Sequence, residues 1–356
     1  MTAGASLVAN AIGAQAVSIS SEVSCASCRI QRDSVVTLGA PNGEGLDSYI
    51  AAVTRGVDGH TFVATVSGAE IAMFDPRGRF AGHIGRAGEG PGEFRRVTKI
   101  IADADGHVHV FDARLVRHSV FRRDGTLVKA TGLPVTRFTD AAILRDGSMV
   151  FSGGTSDRAY AGYALTQLDS AEHIVRRADE VTRLSAPSRW ILERSLSIGQ
   201  RTGRLVVAHP NEFVVDLYDA ALHRVLRLER EAAWFEAPSL NDPERSDGMF
   251  DVPPTSRVLA AWEDAAGLIW IVAIIRSKEW EPRTLRPGER ITPDSPLSTR
   301  PRYETVIEVI DIAAKRVLAR ERSVRKGNFS DGYEWQLLEA ADGTQRLVGW
   351  HLRLER

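Results

Sequence analysis

Short hydrophobic runs, punctuated by Asp-Gly and Gly-rich turns, set the rhythm of this chain. The clearest stretch is residues 85–128. There Val97 to Ala102 is nearly all apolar, as expected of a strand covered on both sides. The next run, His107 to Phe111, puts Val108 and Val110 on one face and His107, His109 and Phe111 on the other. Arg117 to Phe121 makes a third run and Thr126 to Ala130 a fourth. Asp105-Gly106 and Asp124-Gly125 separate them, and Asp-Gly between such runs signals a hairpin because Gly takes the positive φ of a tight turn. The pattern predicts four antiparallel strands, the blade of a β-propeller.

The turn between the first two strands of a blade recurs at Asp58-Gly59, Asp105-Gly106, Asp146-Gly147, Thr202-Gly203, Ala266-Gly267 and Asp342-Gly343. Six markers predict six blades, the later ones carrying insertions over a unit of about 40 to 50 residues. Closure is also readable. Ser34 to Gly39 followed by Asn42-Gly-Glu-Gly45 echoes Phe80 to Gly85 followed by Ala87-Gly-Glu-Gly90, so the N-terminal strand has no blade of its own. At the other end the chain stops after Trp335 to Glu339, Asp342-Gly343 and Arg346 to Leu354. The N-terminal strand is therefore expected to complete the last blade and remove two open sheet edges.

Composition narrows the reading. A closed array is one unit despite its 356 residues, so residues 29–356 are expected to form a single all-β domain. Hydrophobic residues at 43% suffice for the flat cores between blades. A net charge of −1 argues against nucleic acid and against a membrane held by bulk charge. No apolar run is long enough for a transmembrane helix. Residues 1–28 read as a leader: Ser6 to Ala16 is small and apolar and ends in Ala14-Gln15-Ala16, which suits signal cleavage, although a basic start is missing. A periplasmic or extracellular monomer is the expectation. The only cysteines, Cys25 and Cys28, are then expected to form a disulfide. Arg29 after them speaks against haem attachment, and a redox role or a zinc site lacks its context.

Gly88 to Phe94, Asp105-Gly106, Val108 to Asp112 and Phe121 to Gly125 resemble the NHL-type repeat. The match is specific for that blade, fair for residues 49–84 and schematic beyond about residue 160. The resemblance implies a six-bladed NHL-like propeller of exported bacterial proteins, a group that includes binding modules, sensors, lyases and lactonases.

In such a ring the long segments Ser152 to Tyr163, Glu231 to Pro254 and Arg276 to Tyr303 share one face. The inner strands also begin on that face. Reading off their starts gives Tyr49, Arg95, Arg96, Arg137 with Thr139 and Asp140, Arg189 with Trp190, Arg257, and Tyr333 with Glu334 as a channel mouth. Guanidinium groups bind carboxylate, phosphate or sulfate and stack on aromatics, so the mouth suits a protein, peptide or glycan partner. The competing reading is that these arginines pair with Asp140, Glu193 and Glu334 to tie blades together.

The alternative is an enzyme, a lyase or lactonase-type hydrolase working at the channel mouth. The inward carboxylate and amide ligands of lactonases are not evident, since Asn211 lies near a turn and Asp140, Glu193 and Glu334 show no ligand spacing. His83, His107, His109, His118 and His209 are scattered, against a metal-bound pair. Neither a Gly-x-Ser-x-Gly elbow nor a phosphate loop is present. No cofactor is expected, and a metal in the central channel stays open.

Overall fold

The computed structural model describes residues 15–39, 46, 50–65, 70–153, 162–181, 192–237, 253–281, 302–324, 327–339 and 344–356. They form six antiparallel sheets in a ring, a six-bladed β-propeller. The first blade runs Ile50–Arg55, Thr61–Thr65, Ile71–Phe74 and Phe80–Ile84 from the axis outwards. The second runs Val97–Ala102, His107–Asp112, Arg117–Arg122 and Leu127–Gly132, within two residues of the sequence expectation. The third to fifth blades begin with Phe138–Ile143, Ser195–Ile198 and Arg257–Glu263. In these five blades the inner hairpin turns where the pattern marks it; Gly106, for example, sits at φ +84°.

The last blade is closed from the other end of the chain. Its order from the axis outwards is Asn328–Ser330, Tyr333–Glu339, Gln345–Glu355 and then Arg29–Leu38. The N-terminal strand lies antiparallel to the C-terminal one, from Arg29 opposite Glu355 to Leu38 opposite Leu347. One expectation is corrected here. The inner strand of this blade is the three-residue Asn328–Ser330, and its hairpin turns at Asp331-Gly332, with Gly332 at φ +87°. Asp342-Gly343 instead falls between the second and third strands and lies outside the described residues.

Hydrophobic clusters fill the joints between neighbouring blades. Phe62, Ile84, Phe94, Val108 and Phe121 join the first two blades, and Phe111, Phe138 and Phe151 join the second to the third. Val36, Leu38, Phe74, Trp335 and Leu347 seal the last blade to the first, so the N-terminal strand supplies core as well as hydrogen bonds. The Gly-rich crossing has a packing reason. A side chain at Gly85, φ +73°, would stand 2.2 Å from the Phe94 ring, and the Glu93 carboxylate caps the Gly90 amide at 2.7 Å.

Residues 15–28 pack on the rim, so the packed unit begins upstream of Arg29. Gln15–Val17 adds a parallel strand to the outer edge of the fourth blade, pairing with Leu226 to Leu228. Val23 then bridges Val317 on the fifth blade, and the chain enters the sixth at Arg29. Val17 and Ile19 are buried in the joint between the fourth and fifth blades. Buried Glu308 anchors this strap: it pairs with Arg230 and Arg320, which donate to the Ser20 and Ser21 carbonyls at 3.1 and 2.6 Å.

Candidate functional site

In the second blade the start of the inner strand is fixed by local polar bonds. The buried Asp112 carboxylate does this work. Its Oδ2 accepts the Arg95 and Arg96 amides at 2.6 and 2.9 Å, and its Oδ1 accepts those of Arg114 and Leu115 at 2.8 Å each. The motif's closing Asp is thus a four-bond clasp that presents Val97–Ala102 to the axis.

A cavity of about 320 Å³ occupies the central channel, lined by residues from all six inner strands. In most blades these are among the strand's first few residues, such as Ile50, Thr98, Thr139 and Ser195. The cavity therefore lies at the end where the blade crossings arrive. Lys99 stands in it with Nζ 2.9 Å from Asp140 Oδ1. Asp140 is otherwise committed, Oδ1 accepting its neighbour's amide at Ala141 and Oδ2 the Leu196 amide at 2.9 Å. Burial works against the Lys99 charge, but the fields of Asp140 and Asp331 outweigh it and raise its pKa above the ordinary lysine value. The amine stays protonated, which suits a donor and not a nucleophile. Asp331 reaches the same cavity because the inner strand before it is only three residues long.

The residues expected at the mouth are partly brought together. Arg137, at φ +58°, is exposed, and Thr139 beside it contacts Ser152 Oγ at 3.4 Å. Arg257 lies 3.5 Å from Glu193 and is half-exposed. Arg95 pairs with Glu89 at 3.2 Å on the outside of the crossing, and Arg96 is exposed. Tyr49, Arg189 and Trp190 lie outside the described residues. Tyr333 and Glu334 are a correction: they open the second strand of the last blade, beyond its hairpin, and do not begin an inner strand. Glu334 is buried and held by Arg32 at 2.6 Å, with Glu321 of the fifth blade on the same guanidinium at 2.7 Å. That guanidinium ties the last blade to the fifth, and it belongs to the closing strand and not to the arginines expected at the mouth. Asp140, Glu193 and Glu334 have these separate partners and form no shared cation site.

Two polar clusters away from the channel were missed. Asp179, His209 and Asp216 place one ligand atom each within 4.8 Å of one another at the joint of the third and fourth blades. Their charge is already balanced by arginines, Arg194 on Asp179 at 2.6 Å and Arg227 and Arg224 on Asp216 at 3.2 and 3.5 Å. A divalent cation would have to displace them, so the donor set fits a structural network better than a metal. The second cluster runs Asp103, His109, His118, Glu172 and Lys129 between the second and third blades. Asp179 stands far along the chain from His209, and Glu172 far from Lys129, which hides both clusters from motif reading.

Comparison with known proteins agrees with this architecture. The family model DUF5128, described as a 6-bladed beta-propeller, matches residues 49–158. No curated protein matches the chain. Among solved structures, a Bacteroides fragilis protein described as exported superposes with a TM-score of 0.67 at 10% identity, over 96% of this chain and 100% of its own. A member of the duf4221 family from Bacteroides vulgatus gives a TM-score of 0.60 at 12% identity, over 92% of this chain and 99% of its own. At such identities the likeness concerns fold alone, and the chain is a six-bladed β-propeller.

Proposed function

We propose that this propeller is an exported, non-catalytic binding module, built on NHL-type blades, whose site is the channel mouth. The observation that carries the reading is the polar cavity of about 320 Å³ at the leading ends of the six inner strands. Its size is at the lower end of small-ligand sites. Arg137 and Arg257 flank that end, and the three long connections leave from the same face. A peptide or glycan bearing acidic groups fits guanidinium forks at the rim and a narrower group in the channel. The hydrolase reading draws no support from Asp140, Glu193 and Glu334, which hold Lys99, Arg257 and Arg32 instead.

A peptide and glycan array probed with the wild-type protein and with Arg137→Ala plus Arg257→Ala tests this. Acidic peptides or glycans should be retained by the wild type and lost by the double variant. Equal retention by both would overturn the arginine mouth.

A further inference from the structure

The channel cavity has an unbalanced charge. Its lining includes one cation, Lys99, and two carboxylates, Asp140 and Asp331. Asp140 neutralises Lys99 at 2.9 Å and uses its second oxygen on the Leu196 amide, so neither group is available to a ligand without breaking a bond. Asp331 is different. It is exposed and lines the cavity, and although its field reaches Lys99, no hydrogen bond or ion pair engages its carboxylate among the described residues. An anion entering here meets a lysine already paired and a net negative field.

We infer that the channel interior is a subsite for a primary ammonium group, held by Asp331. Resting on the binding reading above, this names the part of the ligand that passes beyond the arginines. An ammonium needs three acceptors, and Ser195 and Asn328, whose side chains are of types that can accept a hydrogen bond, line the same space as Asp331. Trp262 borders it too, its Nε1 3.6 Å from where a Gly332 side chain would begin, with its ring stacked on Trp270 in the blade. A hard metal ion is the weaker candidate, because it demands six or more oxygens and Asp331 is the one uncommitted carboxylate here. The amine can belong to an amino sugar or to the α-amino end of a peptide.

Calorimetric or NMR titration of the full chain with glucosamine and with the dipeptide Gly-Ala, each beside its N-acetylated form, decides between them. At least one free amine should bind at millimolar concentration, and its acetylated form should not. Asp331→Asn should weaken that binding about tenfold or more, the loss expected of a charged hydrogen bond. Asn tolerates the φ of +50° at this position, so the turn survives the change. Binding of glucosamine alone assigns an amino sugar, and binding of Gly-Ala alone assigns a peptide end. No binding by either amine, equal binding of the acetylated forms, or an unaltered Asp331→Asn variant overturns the inference. The array with Arg137→Ala plus Arg257→Ala reads the mouth separately, so a failed channel and a failed mouth give different results.

Discussion

His109 Nδ1 lies 3.0 Å from His118 Nε2, and the two rings stack with centroids 5.2 Å apart. His118 is enclosed: Phe111 stacks on its ring at 4.7 Å, and its Nδ1 faces Glu172 at 3.0 Å. Glu172 is shared with Lys129 at 2.8 Å, while His109 Nε2 reaches Asp103 at 3.2 Å. Burial is the largest influence on His118 and pushes its pKa from 6.5 to about 4, with the Glu172 bond opposing it.

This predicts an acid limb in stability. The folded protein keeps His118 neutral, whereas the unfolded chain protonates it below pH 6.5. The contribution is therefore complete above pH 6.5 and declines as pH falls towards 4, by roughly 3 kcal/mol in all. Urea melts between pH 7.5 and 4.5 should show that decline, and His118→Phe should flatten it. A variant that loses stability in parallel with the wild type would show that other groups, such as Asp103 and Glu172, dominate the limb.

Asp112→Ala should be among the most damaging polar changes in the second blade. It leaves four backbone amides without their acceptor, at about 1 kcal/mol or more for each that water cannot reach. A loss of at least about 3 kcal/mol is expected. Asp112→Asn should lose less, because one oxygen remains. Equal denaturation midpoints for wild type and Asp112→Ala would show that water replaces the clasp.

Much of the ring is legible before any coordinates. Asp-Gly at 105–106 with alternation over 107–111 defines a blade, because turn geometry and a two-residue period are both local properties. The closing strand shows for the same reason: residues 34–39 carry the pattern of an outer strand. Asn328–Ser330 is too short to display a period, and the strap at residues 15–24 has three paired residues and one bridge. Lys99 is hidden inside a mostly apolar run, and Asp331 becomes a channel residue only when the shortness of its strand is known. Those two positions are set by tertiary closure, which no local pattern encodes.

Cys25 and Cys28 are joined by a disulfide, with Cys28 buried against the joint of the last two blades. The bridge spans a separation of three residues, so the loop-closure entropy it removes from the unfolded chain is small, about 2 kcal/mol. Cys25→Ser with Cys28→Ser should lower stability by no more than that and leave the blade fold intact by circular dichroism. A collapse of the fold would mean that the bridge positions Arg29–Leu38 for closure.

Closure itself is tested at Arg32. Its guanidinium, in the closing strand, holds the buried Glu334 of the same blade and Glu321 of the blade before it. Arg32→Ala strands a carboxylate whose side chain is 2% exposed, and breaking a buried pair in this way costs about 3 to 5 kcal/mol. Removing the charge as well, with Arg32→Ala and Glu334→Gln together, should recover part of that loss, since the desolvated anion is gone. Denaturant melts of the two single variants and the double form a cycle. Coupling above about 1 kcal/mol places the pair at the seam of the ring, whereas additive losses would mean that solvent already screens Glu334 and that the seam rests on Val36, Leu38 and Trp335 alone.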